Sequence, residues 1–143
     1  MRLGEHDRWD DSESDHLELE ASEIINHPDY SKRNTQYDFA MVKLAEPIDF
    51  AAHPHIRPIC LPATSSDTYA GVTATVTGWG WTGDRYARKL QEVDVTVLSN
   101  YACRYDYGYR SWQITDDMLC AAVPNGGKDS CSADSGTLNL HET

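Results

Sequence analysis

"VTATVTGWG", residues 72–80, decides the fold class of this 143-residue chain. Val72, Ala74 and Val76 alternate with Thr73, Thr75 and Thr77, and Gly78 and Gly80 close the run. Such alternation predicts a half-buried strand, because successive side chains of an extended chain point to opposite faces. The same period returns elsewhere. Val93, Val95 and Val97 alternate with Asp94 and Thr96, and Leu17 and Leu19 alternate with Glu18 and Glu20. Ala40, Val42 and Leu44 share a face opposite Phe39, Met41 and Lys43. Only Asn100–Tyr107 and Ile114–Leu119 read as short helical turns. Short strands without long helices between them predict an all-β sandwich or barrel.

Pro54, Pro58 and Pro62, then a Ser/Thr/Asp cluster, interrupt the strands in "PHIRPICLPATSSD", residues 54–67. This stretch reads either as a connector between two β units or as one long surface loop. The hydrophobic content of 40% is in the globular range. A net charge of −11 argues against nucleic acid or anionic membrane as partners and favours a cationic substrate. No apolar run approaches the roughly 20 residues of a membrane span, and no signal-peptide core is read.

Residues 1–25 concentrate the charge. Glu5, Asp7, Asp10, Asp11, Glu13, Asp15, Glu18, Glu20 and Glu23 face only Arg2 and Arg8. The stretch reads as a solvated acidic loop, or as a loop near Glu5 that holds a hard cation such as calcium, though without EF-hand spacing. The four cysteines, Cys60, Cys103, Cys120 and Cys131, form no C-x-x-C, and no H-E-x-x-H is present, so zinc-ligand spacing is absent and no metal ligand is assigned. An even count suits an oxidising compartment better than the cytosol.

"GKDSCSADSG", residues 127–136, holds Asp134-Ser135-Gly136. Alone it reads as a catalytic serine or as a polar turn, since Asp, Ser and Gly are turn residues. The ordered set "RLGEHD", "IINHPDY", "YDFAMVKL", "IRPICLP", "VTGWG" and "GKDSCSADSG" resembles the trypsin-like, chymotrypsin-fold serine endopeptidases over nearly the whole chain. The resemblance implies an all-β fold of two barrels, incomplete here. Residues 1–53 would be part of the first barrel, 54–67 the connector, and 68–143 part of the second.

The same resemblance implies the site. Ser135 corresponds to the nucleophile and Asp38 to the buried acid that orients the catalytic histidine. An Asp entering an apolar strand fits that role, although a strand-start cap explains it too. The N–H groups of Ala133 and Ser135 correspond to the oxyanion hole. Asp134 corresponds to the partner of the freed N-terminal amine. Asp129 corresponds to the acid of the specificity pocket, which selects Arg or Lys side chains; a turn residue is the alternative. Cys103 and Cys120 correspond to a disulfide within the second barrel, while Cys60 and Cys131 correspond to cysteines paired outside this chain. No cofactor is implied. The implied protein is secreted, acts on proteins or peptides bearing Arg or Lys, and meets serpin- or Kunitz-type inhibitors.

Three departures stand out. None of the six histidines matches the catalytic one, so the chain as written is expected to be inactive. Ala133 stands where the family has glycine, at a cost of about 1–2 kcal/mol if φ is positive. Two such barrels need on the order of 200–250 residues, so the chain is expected to be a piece truncated at both ends. The second functional reading is a catalytically inactive homologue that acts as a binding or regulatory protein.

Overall fold

The computed structural model describes residues 1–62, 68–106, 108–110, 113–123, 126–127, 129–135 and 138–140. Strands dominate these residues. β1 (Arg2–Leu3) pairs with β2 (Leu17–Glu18), and β3 (Ala21–Asn26) pairs with β4 (Ala40–Leu44). A four-stranded sheet then follows from β5 (Thr73–Gly78), β6 (Gln91–Leu98), β7 (Cys120–Ala122) and β8 (Leu138–Leu140). Its order is β7-β6-β5-β8, antiparallel throughout. Between β6 and β7 lies α1 (Asn100–Tyr105), the one helix among the described residues.

The expected alternation places the core. Ala74 faces Val95 across the β5–β6 ladder and Val76 faces Val93. Ala74, Val95 and Val97 are buried, with Tyr69, Val76, Val93, Ala121 and Val123 packed on them. Asp94 and Thr73 take the opposite, exposed side, as a period of two requires.

α1 starts where Ser99 caps it, its hydroxyl accepting from the Ala102 N–H at 3.1 Å. Cys103 on α1 is buried and forms a disulfide with Cys120, which opens β7 (Cα–Cα 6.6 Å). The pairing implied by resemblance is therefore present. Cys60 and Cys131 are free and exposed. The helical turn expected at 114–119 is instead a run of hydrogen-bonded turns, one closed by Met118 N–H to the Thr115 carbonyl at 3.2 Å. Tyr107, the end of the other expected helical turn, lies outside the described residues, as do 63–67 of the connector stretch.

Two expectations are corrected. β4 is not half-buried: its first four residues are exposed, Met41 at 70% and Val42 at 41%. β4 pairs with β3 alone, and no described element covers either face of that ribbon. The acidic stretch is not simply solvated, either. Asp7 is 1% exposed and takes the Arg88 guanidinium at 2.6 and 2.8 Å. Glu13 holds Lys89 at 2.9 Å, and Glu5, Asp11 and Glu18 share Arg2 at 3.0, 2.8 and 2.7 Å. Backbone bonds add to this docking: Leu90 N–H donates to the His6 carbonyl at 2.9 Å, and Arg8 N–H to that of Arg88 at 3.1 Å. Residues 6–13 are thereby tied to the segment before β6.

Candidate active site

The segment after β7 carries Asp129, Ala133, Asp134 and Ser135, and the Cys103–Cys120 disulfide anchors the strand that launches it. Its centre is a tight turn, closed by Asp134 N–H to the Cys131 carbonyl at 3.0 Å. Ala133, third in that turn, has φ 73°, a value that favours glycine. The strain foreseen for the methyl group is therefore present.

The Asp134 carboxylate pins the turn to the end of β5. It accepts from the Gly80 N–H at 2.7 Å and, through its other oxygen, from the Cys131 N–H at 3.0 Å. Trp81 N–H donates to the Ser132 carbonyl at 3.0 Å, a second link between the same segments. A Cβ on Gly78 or on Gly80 would overlap the Asp134 carboxylate. Both glycines of "TGWG" are thus required by an aspartate 54 residues away from Gly80. That contact was not legible in the sequence, where the glycines read as strand punctuation and as part of a family motif.

A cavity of about 760 Å³ opens between β5, β6 and this segment. Asp129 and Asp134 line it with Trp81, Gln91 and Val123. The Asp129 carboxylate accepts from the Ser130 N–H at 2.8 Å, and the residue is exposed. Ser135 is exposed at the end of the turn and does not line the cavity. Gly136, Thr137 and His141 lie outside the described residues.

Asp38 is carried by another part of the chain. It lies in the short segment before β4, in a different sheet, and is exposed where a buried acid was expected. The reason is the uncovered β3–β4 ribbon, which leaves its entry in solvent. His27 packs nearby, stacked on Tyr37 (centroids 4.8 Å) and tilted against Phe39 (4.6 Å), the two neighbours of Asp38. No described histidine hydrogen-bonds to Ser135 or lines the cavity.

In the acidic loop, Arg88 and the Trp9 N–H hold the Asp7 carboxyl below the usual carboxylate range against its burial. Glu5 and Asp11 come within reach of His16 as a cluster of potential metal ligands. Those carboxylates already hold Arg2, and the third member is a nitrogen donor. As arranged, that set does not fit calcium, which takes six to eight oxygens.

A profile of the trypsin family matches residues 1–137. The chain is 42% identical to serine proteinase stubble of Drosophila melanogaster over 95% of its own length and 18% of that protein. It is 36% identical to Trypsin-2 of Salmo salar over 95% of the chain and 56% of the trypsin. It is 37% identical to Trypsin II-P29 of Gallus gallus over 95% and 53%. The chain thus spans about half the length of these trypsins and under a fifth of the fly protein.

Proposed function

Because this chain belongs to the trypsin family, we propose that the whole protein is a serine-type endopeptidase that cleaves after Arg or Lys. The observation that carries the reading is the position of Asp129, lining the cavity beside the turn that ends at Ser135. A carboxylate at a cavity wall favours a guanidinium or ammonium side chain and disfavours neutral ones. The net charge of −11 draws such substrates in.

In this reading the Ser135 hydroxyl attacks the scissile carbonyl, and a histidine oriented by Asp38 takes its proton. The N–H groups of Ala133 and Ser135 receive the developing oxyanion; among the described residues neither donates elsewhere. Asp134 receives the ammonium created by activation, which must displace the Gly80 and Cys131 N–H groups. This reading expects no turnover from residues 1–143 by themselves, since no described histidine hydrogen-bonds to Ser135 or lines the cavity. The division into 1–53, 54–67 and 68–143 belongs to the same reading, as do extracellular action and recognition by serpin- or Kunitz-type inhibitors. The Cys103–Cys120 disulfide supports an oxidising compartment, and no described helix is long and apolar enough to cross a membrane. Calcium binding in the acidic loop requires Arg2 to leave Glu5 and Asp11.

One observation favours the second reading, an inactive homologue that binds rather than cleaves. Ala133 puts a methyl group at φ 73° in the turn that must present the oxyanion donors. The test is a panel of chromogenic peptides, given to the whole protein, that differ only before the cut. Arg and Lys peptides are expected to lead, Asp129→Ser to lower kcat/KM for Arg by at least about 100-fold (about 2.7 kcal/mol), and Ser135→Ala to abolish the acyl-enzyme burst. Preference for large apolar residues overturns the specificity. A folded whole protein inert toward every peptide leaves the homologue reading.

A further inference from the structure

We infer that Asp15, His53 and His55 form a binding site for a divalent transition-metal ion of the zinc type. A ligand atom from each, one carboxylate oxygen and two ring nitrogens, lies within 4.8 Å of the other two. The three come from two segments: Asp15 lies within the acidic stretch, and the histidines flank Pro54 well along the chain.

Local geometry sets the histidine pair. Ile56 N–H donates to the His53 carbonyl at 3.0 Å, closing the turn His53-Pro54-His55-Ile56. Pro54 sits in its second position, where the ring pre-sets φ. The His53 N–H donates to the Asp49 carbonyl at 3.0 Å, fixing the start of the turn. The two imidazoles stand nearly perpendicular, with centroids 6.0 Å apart. The His55 ring lies directly over Gly4, with no room for a side chain there: a Cβ would meet its Cδ2 at 3.0 Å.

Two features point to a ligand. The Nδ1 atom of His53 is buried without a hydrogen-bond partner, a state that is costly and rare unless something unseen satisfies it. His55 Nε2 donates to the Asp15 backbone carbonyl at 2.6 Å. A ring nitrogen tied in this way leaves the other as a lone pair, which is how metal-ligating histidines are held in their tautomer.

The donor set selects the metal. Two imidazoles and a carboxylate suit zinc and its neighbours, whereas calcium and magnesium prefer oxygen throughout. Zinc–nitrogen bonds near 2.0–2.1 Å place tetrahedral ligands about 3.3 Å apart, so the three ligand atoms, which lie within 4.8 Å of one another, need close by no more than about 1.5 Å on binding. Water fills the fourth position. The ion would tie the acidic loop to the proline-rich stretch.

The test titrates Zn²⁺ into the metal-free full chain carrying Cys60→Ser and Cys131→Ser, which removes the two free, exposed thiols. Calorimetry should show one equivalent, and Co²⁺ substitution should give the intense visible bands of a four-coordinate site. His53→Ala and His55→Ala should each weaken Zn²⁺ at least about 10-fold, with unchanged metal-free circular dichroism. His16→Ala, in the neighbouring Glu5/Asp11/His16 cluster, should leave affinity unchanged. Should His53→Ala unfold, Asp15→Asn, at an exposed position, decides in the same way. Zn²⁺ binding that survives Asp15→Asn and His53→Ala, binding lost instead in His16→Ala, or a stoichiometry well below one each overturns the proposal.

Discussion

The backbone N–H of Tyr37 donates to the Asp117 carboxylate at 2.7 Å, across 80 residues of chain. Tyr37 has φ 51°, a strained value for a side chain of its size, and the bond to a charged acceptor offsets that cost. The contact fixes the backbone just before Asp38, so a residue in the α1–β7 region governs where the chain enters β4. Asp117→Ala is therefore expected to destabilise by about 1 kcal/mol and to speed exchange of the Tyr37 amide. Native-state hydrogen exchange checks it; an unchanged Tyr37 amide would show that the bond holds nothing.

Gly80→Ala tests the contact between "TGWG" and the Asp134 turn. The new methyl overlaps the Asp134 carboxylate and breaks its bond from the Gly80 N–H. A loss of about 1–3 kcal/mol is expected from such overpacking. In an Asp134→Ala background the same substitution should cost much less, because the group it strikes is gone. A denaturant-melt double-mutant cycle reads the coupling, and strict additivity would contradict it.

Ala133→Gly acts in the other direction. Removing a methyl held at φ 73° is expected to raise stability by about 1 kcal/mol, after allowing for the greater freedom of glycine in the unfolded chain. A thermal or urea melt suffices, and a destabilised variant would mean the turn does not strain Ala133.

Asp7 predicts how stability depends on pH. The Arg88 guanidinium keeps its carboxyl below the ordinary value, so the folded chain binds this proton less readily than the unfolded one. The contribution is complete above the unfolded value near about 3.9 and is lost as pH falls through the folded value. Melting temperatures of the wild type should thus drop more steeply below about pH 4 than those of Asp7→Asn. Parallel acid profiles for the two proteins would remove Asp7 from the account.

The disulfide predicts the size of one more effect. Cys103 and Cys120 close a loop of 17 residues, for which chain entropy gives about 3 kcal/mol. The double Cys103→Ser/Cys120→Ser variant should lose about that much in a denaturant melt. Because the bridge anchors β7, the turn bearing Ser135 should also become more accessible to protease in limited digestion.

What the sequence determined by itself was whatever repeats on a short period or matches a motif in order. Alternation in 72–77 and 93–97 specified β5, β6 and the buried face of Ala74, Val95 and Val97, because strand side chains obey a local period of two. The motif order specified the family and the Cys103–Cys120 pairing. β3 was not legible, since Ile24 and Ile25 sit side by side and break alternation; its partner β4 defines it. β1, β7 and β8, two or three residues long, likewise exist only through pairing. Tertiary structure alone decided the rest: Asp134 against Gly78 and Gly80, Asp7 under Arg88, Asp15 beside His53 and His55, and the exposure of Asp38. Each depends on how segments 38 to 81 residues apart in sequence meet or fail to meet, and the cost of burying charge or closing a loop is set by that meeting rather than by any residue's neighbours in the chain.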